Sequence, residues 1–292
     1  MRVFVTGATG WVGSAVVEEL VGAGHQVTGL ARSAEKATGL ATAGAEIVSG
    51  TLDDLDTLRD AASAADAVIH TAFNHDFSRF AENARQDQLA IETLGSTLIG
   101  SDRPLLVTSG FALLAPGRIA SEADLPASHP SYPRRSETAA RALAERGVRA
   151  ASIRLAPSVH GLGDHGFIPF LIGLAHEKGL SAYIGDGLNR WPGVHRLDAA
   201  RLYRLALEQG VTEPAYHATA DEGVAFKDIA AVIGRRLGVP VESRGREHFG
   251  WFADFAGADI PASSARTRSL LGWEPTGPDL LSDIDQPGYY AA

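Results

Sequence analysis

The sequence predicts an α/β protein built on a doubly wound parallel sheet, followed by a smaller C-terminal lobe. In the first half, short β-branched runs alternate with amphipathic stretches, which is typical of successive strand–helix–strand units. A turn with three glycines joins the first run to the first amphipathic stretch. Beyond about Pro157 this rhythm gives way to irregular segments rich in Gly and Pro. We therefore expect ligands to bind at the carboxyl edge of the sheet.

The strands are expected where the apolar runs fall, at residues 3–5, 27–30, 47–48, 67–69, 105–107 and 151–155. Apolar residues spaced by three and four predict helices between them, including one over residues 86–99 and one from near Pro133 to Leu143. We assign residues 1–157 to the sheet domain and residues 158–292 mainly to a substrate-binding lobe. Residues 197–215 are expected to return to the sheet domain.

The composition is that of a globular protein and excludes several kinds of function. The chain has 292 residues, 45% of them hydrophobic and 21% charged, which is enough for a buried core. Its formal net charge of −9 argues against binding to nucleic acid, which needs a basic face. No apolar run approaches the ~20 residues of a membrane span and no targeting signal is evident, so we expect a cytoplasmic protein. The absence of cysteine excludes thiolate chemistry.

The turn after the first strand has the spacing Gly-x-x-Gly-x-x-Gly and leads directly into a helix. Gly7 permits the tight turn, Gly10 lets the backbone approach a diphosphate, and Gly13 allows close packing of helix on strand. The helix N-terminus offers free N–H groups and a partial positive charge to the anion. We therefore predict a Rossmann-type dinucleotide site. The turn residues that bind the cofactor are expected to be Gly7, Thr9, Gly10, Trp11, Val12 and Gly13.

The end of the second strand indicates which dinucleotide binds. In Rossmann folds an acidic residue here bonds the ribose 2′-hydroxyl, whereas an arginine suits a 2′-phosphate. This sequence has Arg32 and Ser33 at that point and no acid. A guanidinium can form paired hydrogen bonds with a phosphate, and a serine hydroxyl can donate another. We predict NADP(H) as the cofactor in preference to NAD(H), and residues 1–157 as its binding domain.

Further motifs, in the same order along nearly the whole chain, resemble those of the extended short-chain dehydrogenases/reductases, the group that includes nucleotide-sugar epimerases and dehydratases. The segments that carry the resemblance are residues 6–13, 50–52, 68–72, 107–109, 154–161, 185–187, 194–198 and 271–275. The resemblance implies that further strand ends line the cofactor, with Thr51 in place of the family's acid. The residues concerned are Thr51, Leu52, Thr71, Ala72, Phe73, Ser109, Pro157 and Val159. It also implies a small-molecule substrate and a homodimer.

The resemblance further implies a catalytic Tyr-x-x-x-Lys pair, in which the tyrosine donates a proton and the lysine lowers its pKa and holds the nicotinamide ribose. This sequence breaks the pair. If Tyr132 is the acid, Ser136 stands where the lysine should be. If the helix that follows is matched, which fits somewhat better, Glu137 takes the lysine position and Pro133 the tyrosine position. No lysine lies between residues 37 and 177, so the usual proton relay is absent.

Three other features offer candidates for catalysis. Ser109 ends a strand beside the expected nicotinamide and can hydrogen-bond a substrate oxygen. Tyr132 remains a proton donor, with Arg134 or Arg135 as the cation that lowers its pKa, although a planar guanidinium is a poor copy of a lysine. His165 lies in a glycine-rich loop expected over the pocket, and histidine is the natural acid near pH 7. The alternatives to it are His160 and His195. No ligand spacing indicates a metal site.

These observations predict an NADP(H)-dependent oxidoreductase that transfers a hydride to or from a small carbonyl or imine. An imine is included because it can arrive already protonated and then demands less of the acid. One alternative is a nucleotide-sugar epimerase or dehydratase, for which Arg190, Arg196 and Arg266 supply basic residues. The other is a non-catalytic NADP(H) sensor or scaffold. An apolar pocket is expected to draw on Phe73, Phe77, Phe167, Phe170, Trp191, Trp251 and Phe252, at least half of which we expect in the core.

Overall fold

The structure is a computed structural model that describes residues 1–126 and 132–291. The strands are β1 (Arg2–Thr6), β2 (Gln26–Ala31), β3 (Glu46–Ser49), β4 (Ala67–His70), β5 (Pro104–Gly110), β6 (Arg149–Leu155), β7 (Ser158–His160), β8 (Ser181–Ile184), β9 (Arg190–His195), β10 (Ala215–Ala218), β11 (Asp221–Ala225) and β12 (Val241–Arg244). The helices are α1 (Trp11–Gly22), α2 (Ala34–Thr42), α3 (Leu55–Ala64), α4 (Phe80–Ser96), α5 (Ser136–Glu145), α6 (Phe167–Lys178), α7 (Arg196–Glu208), α8 (Phe226–Leu237), α9 (Ala253–Ala256), α10 (Ala265–Leu271) and α11 (Leu280–Ile284). Among the described residues, no helix is both long enough and apolar enough to cross a bilayer.

Seven strands form one sheet in the order β10-β6-β5-β4-β1-β2-β3, and every neighbouring pair is parallel. The register pairs Val3 of β1 with Val27 of β2 on one side and with Ala67 of β4 on the other. The chain runs outward from β1 to β3 and then returns to β4 on the opposite side. β1 and β4 therefore flank the point where the strand order reverses. The predicted doubly wound α/β fold is confirmed.

The sheet is buried on both faces, which explains why its strands are continuous apolar runs and not alternating patterns. On one face Val3 and Ile69 belong to the same core cluster as residues of α1 and α7. On the other face Phe4 and Val68 pack in a cluster with residues of α3, α4 and α5. Burial of these two faces is the main hydrophobic contribution to the stability of the sheet domain.

Two helices begin at residues other than those that the apolar spacing predicts. α4 begins at Phe80, because a 3₁₀ turn over Phe77–Arg79, capped by the Asp76 side chain, leads directly into it. Exposed polar residues in its first turns hide the apolar period there. α5 begins at Ser136 and not near Pro133, since a proline favours extended backbone at the residue before it.

The chain beyond β6 builds the second lobe and also returns to the sheet. The second lobe contains two small sheets, β11-β9-β7 and β12-β8, and a core that includes Trp191, Phe226 and Phe252. α7 instead packs against α1, and β10 joins the large sheet beside β6. Residues 196–208 and 215–218 therefore lie with the sheet domain.

A buried ion pair joins α5 to β6. Arg154 donates through Nε to Glu137 Oε2 at 2.8 Å and through Nη2 to Glu137 Oε1 at 2.6 Å, and both side chains are buried. The guanidinium also donates to His217 Nε2 and to the backbone oxygens of Ser121 and Asp124. A pair that is bonded this completely tolerates burial, whereas removal of one partner leaves an uncompensated charge.

Replacement of Glu137 by Ala is expected to destabilise the fold by about 3–5 kcal/mol, because Arg154 then remains buried without its counter-charge. The matched control is Glu82→Ala, since Glu82 pairs with Arg79 at the surface and its loss should leave the stability unchanged within error. Urea unfolding followed by circular dichroism gives both free energies of unfolding. A Glu137→Ala variant as stable as wild type would contradict this account of the pair.

Candidate active site

The glycine turn at the end of β1 is shaped by two close backbone approaches. Gly7 has a left-handed φ of +67°, and a Cβ there would lie 2.6 Å from the Ala72 nitrogen. A Cβ at Gly13 would lie 2.0 Å from the Gly7 oxygen, so only glycine lets α1 come this close to β1. α1 begins at Trp11 after an extended Gly10, and no side chain caps its first N–H groups. These free amides and the space left by the glycines fit a diphosphate.

Trp11 connects this turn to the second lobe. Its indole Nε1 donates to the Val159 oxygen at 2.6 Å, and the Arg196 guanidinium lies 4.3 Å from its ring centroid. His165 contacts the same ring edge-on, with centroids 5.7 Å apart. The structure therefore places His165, Val159 and the nearby Pro157 on the side of the glycine turn.

The carboxyl end of β2 is a cationic surface. Arg32 and Ser33 are exposed there, and no acidic residue stands at the strand end. The Ser33 hydroxyl accepts a hydrogen bond from the Lys36 amide at 3.4 Å, which caps α2, while its own proton stays free to donate. Lys36 is exposed one turn into the helix and is a second cation that sequence reasoning missed, although its position four residues after Arg32 is a usable signal. The two cations and the helix N-terminus together favour an anion.

The ends of β3 and β4 form walls of the site, because the hydroxyl donors of their threonines are already hydrogen-bonded within the protein. The Thr51 amide and hydroxyl both donate to Asp54 Oδ2, at 2.7 and 2.8 Å, and so close a turn before α3. The Thr71 hydroxyl donates to the Thr6 oxygen at 2.8 Å and holds the end of β4 against the glycine turn. The half-buried residues beside them are Leu52, Ala72 and Phe73.

Ser109 and the segment that carries Tyr132 both lie at the carboxyl end of β5. Ser109 is the penultimate residue of that strand and is partly exposed. Arg134 donates through Nη2 to the Thr108 oxygen at 3.0 Å, which ties its segment to this strand end. Burial raises the pKa of Tyr132, and the adjacent Arg134 guanidinium opposes that rise. A phenol carries its proton at neutral pH even at its ordinary pKa, so burial makes Tyr132 a weaker acid and the nearby cation partly offsets that effect.

Sequence reasoning missed two titratable groups of the cleft, His75 and Asp164. Protein surrounds most of the His75 ring although solvent reaches it, and burial together with the charge of Arg134 lowers its pKa to about 4. Burial raises the pKa of Asp164, the neighbour of His165, to about 6. No sequence motif marks either group, because each pKa depends on loops that meet only in the folded chain.

Neither candidate for the lysine position carries a cation. The Ser136 hydroxyl donates to Asp87 Oδ2 at 2.5 Å, and Glu137 is held by Arg154. The three lysines of the chain lie on α2, α6 and α8. Nor do the described residues contain a group of three or more His, Cys, Asp or Glu side chains that could hold a metal ion.

Aromatic side chains line the space between the sheet domain and the second lobe. Phe77 stacks on the exposed Trp251 with ring centroids 5.4 Å apart. Phe80 contacts Tyr132 edge-on at 5.6 Å. The other aromatics predicted for a pocket divide into the half-buried Phe73, Phe167 and Phe170 and the fully buried Trp191 and Phe252.

Two of the three arginines that the sequence offers to a nucleotide sugar are paired with acids. Arg190 pairs with Asp259 at 2.9 Å, and Arg266 pairs with Glu213 at 2.7 Å. Arg196 is engaged with the indole described above and donates to the Ser14 hydroxyl at 2.8 Å. An anionic substrate would have to displace one of these contacts.

Comparison with known proteins places this geometry in a family. The structure of UDP-glucose 4-epimerase from Thermotoga maritima superposes with a TM-score of 0.77 at 19% identity, covering 99% of this chain and 98% of the other. A family model described as NAD(P)H-binding matches residues 7–150. This chain belongs to the NAD(P)H-binding proteins that this model describes, and it has the fold of the extended short-chain dehydrogenases/reductases.

Relatives of this chain are found in fungi and bacteria. An uncharacterized protein of Schizosaccharomyces pombe is 47% identical over 297 residues, covering 99% of this chain and all of the relative. A protein of Stigmatella aurantiaca named 4-hydroxy-2-methyl-3-oxo-4-farnesyl-3,4-dihydroquinoline-1-oxide ketoreductase is 27% identical, covering 93% of this chain and 80% of its own length. The chain thus has a ketoreductase of named activity among its more distant relatives.

Substitution of Gly13 by Ala is expected to weaken NADPH binding by about tenfold or more, because the new Cβ forces α1 away from the turn and misplaces the amides that face the diphosphate. Gly22→Ala is the matched control on the same helix, since a Cβ there meets nothing within 4 Å. Fluorescence titration with NADPH measures both dissociation constants. Equal affinity of the two variants would show that the turn does not hold the cofactor.

Proposed function

We propose that this enzyme uses NADPH to reduce a small apolar carbonyl or imine. The observation that carries the proposal is the arrangement along one edge of the sheet. That edge has a diphosphate-shaped turn at the end of β1, cations at the end of β2, and a protonated phenol with Ser109 at the end of β5. The order of these features across the sheet is the order in which a Rossmann-type sheet holds the parts of a dinucleotide.

The sheet topology divides the cofactor site into two halves. Because the strand order reverses between β1 and β4, a dinucleotide crosses the sheet at that point. The cations at Arg32 and Lys36 favour the adenosine 2′-phosphate over β2. The nicotinamide half is then formed by the carboxyl ends of β4, β5 and β6, where Phe73, Ser109 and Tyr132 lie. NADPH is preferred to NADH because β2 ends without an acid and is followed by Arg32, although Glu35 lies in the first turn of α2.

The chemistry divides between the cofactor and the protein. Bound NADPH supplies a hydride to the substrate carbon and is oxidised to NADP⁺, while the substrate oxygen or nitrogen takes up a proton. The Ser109 hydroxyl donates a hydrogen bond to that atom and orients it. Tyr132 donates the proton, and the Arg134 guanidinium assists it by opposing the rise in pKa that burial causes. His165 contacts Trp11 and lies close enough to His75 to influence the pKa of that histidine, and it is the alternative proton donor.

The lining of the cleft favours an apolar substrate. Aromatic faces of Phe77 and Trp251 meet across it, whereas the second-lobe arginines are already paired. A nucleotide sugar needs unpaired cations for its phosphates, so the site is poorly suited to one. The ketoreductase named among the relatives, whose substrate carries a farnesyl chain by its name, supports the same choice.

Turnover of NADPH with a panel of aromatic and aliphatic ketones, aldehydes and cyclic imines tests the proposal. We expect NADPH to be oxidised in the presence of apolar carbonyls or imines and not in the presence of UDP-glucose. Tyr132→Phe should lower kcat/KM about 10²-fold through loss of the proton donor. Tyr183→Phe, on β8 of the second lobe, is the control and should retain the wild-type rate. Tight NADPH binding with no turnover on the whole panel would instead favour a sensor or scaffold.

The preference for NADPH is tested by replacing the cation at the end of β2. Arg32→Ala should raise the dissociation constant of NADPH about 10- to 100-fold and leave that of NADH unchanged, since only NADPH carries the 2′-phosphate. Arg59→Ala, which removes a surface arginine of α3, is the control. Calorimetric titration gives both constants. A wild-type protein that binds NADH as tightly as NADPH would refute the preference.

A further inference from the structure

We infer that Arg134 supplies the cation of the nicotinamide half in place of the missing lysine, and that a buried chain formed by Ser136, Asp87, His70 and Thr6 holds it there. The inference rests on the proposed use of a nicotinamide cofactor. It assigns Arg134 a direct contact with the nicotinamide ribose. Asp87 becomes a positioning residue that never touches the cofactor.

Arg134 has a fixed place at the carboxyl ends of β4 and β5. Its guanidinium lies 4.2 Å from the ring centroid of Phe73, the residue that follows β4, and donates to the Thr108 oxygen of β5 at 3.0 Å. Its Nε donates to the Ser136 hydroxyl at 2.8 Å. The side chain is half-buried, and its guanidinium also hydrogen-bonds the Tyr132 hydroxyl. A guanidinium carries five N–H donors, more than these three contacts use, and a ribose diol offers two oxygens that suit such donors.

The chain behind Arg134 is continuous and buried. The Ser136 hydroxyl donates to Asp87 Oδ2 at 2.5 Å, and His70 Nε2 donates to Asp87 Oδ1 at 3.0 Å, because a carboxylate only accepts. His70 Nδ1 lies 2.7 Å from the Thr6 hydroxyl. Thr6 immediately precedes the turn glycine Gly7, so the chain runs from the diphosphate turn to the arginine.

A second path closes this chain into a ring. The Thr108 hydroxyl donates to the His70 backbone oxygen at 2.8 Å, and the Thr108 backbone oxygen accepts from Arg134. The buried Asp87 carboxylate accepts from His70 and Ser136, and the Arg134 guanidinium lies one hydrogen bond further away, beyond Ser136. Burial of a carboxylate costs free energy that its hydrogen bonds only partly offset, so we assign Asp87 a positioning role. Here it fixes the position of Arg134.

Arg135 does not share this environment. It is exposed and is the N-cap residue of α5. The two adjacent arginines therefore form a matched pair in which only one faces the nicotinamide half. The comparison between them separates a local contact from a general effect of positive charge.

Binding of two probes to the purified protein tests the inference without any substrate. NADPH contains both halves of the cofactor, whereas adenosine 2′,5′-bisphosphate contains only the adenosine half. Arg134→Met should raise the dissociation constant of NADPH about tenfold or more, because a charge-assisted hydrogen bond to the ribose is lost. The dissociation constant of the bisphosphate should stay within about twofold of the wild-type value. Arg135→Met should change neither. Ser136→Ala and Asp87→Asn should also weaken the binding of NADPH and not that of the bisphosphate, but by a smaller factor than Arg134→Met.

Wild-type affinity of Arg134→Met for NADPH would overturn the inference. An equal loss of affinity for both probes would also overturn the inference, since that result indicates damage to the glycine turn. If Asp87→Asn does not fold, Ser136→Ala decides the role of the chain, and wild-type binding by that variant excludes a positioning role. Failure of the protein to reduce any carbonyl leaves these binding results intact, whereas failure of wild type to bind NADPH refutes the proposed function.

Discussion

The contact between the first strand and the first helix determines where every other part of the site can lie. The backbone of Gly13 passes so close to the Gly7 oxygen that a Cβ would lie 2.0 Å from it. This contact aims the free amides of α1 across the carboxyl edge of the sheet. α7 packs on the same helix, and Trp11 ties it to the second lobe through Val159. A shift of α1 therefore moves the diphosphate site together with the second-lobe segment that Trp11 contacts.

Loss of the family's lysine has a structural explanation in this chain. Position 137, where one alignment places that lysine, faces β6 and the buried Arg154 guanidinium. A carboxylate there completes a buried ion pair, whereas a lysine would bring two like charges together out of water. The helix thus uses this position for stability. Positive charge can reach the nicotinamide half only from outside the helix, and Arg134 stands just before its first residue.

Features encoded within one short segment were predictable from sequence, and features made by several segments were not. The parallel strands, the glycine turn and the exposed Arg32 follow from local patterns, because a strand end and a turn carry their own signals. The start of α4 was misplaced since its first turns are polar. The pairing of Glu137 with Arg154 was not predictable because it joins residues 17 positions apart through the fold. The same reason applies to the charge environment of His75.

A crystal structure of the wild-type protein with NADPH tests the central claim most directly, since that claim concerns which strand ends hold which part of the cofactor. The account predicts the diphosphate on the amides at the start of α1 and the 2′-phosphate at Arg32. It places the nicotinamide ring beside Ser109 and Tyr132. A cofactor bound in the opposite direction, or with its nicotinamide far from the end of β5, would contradict the account.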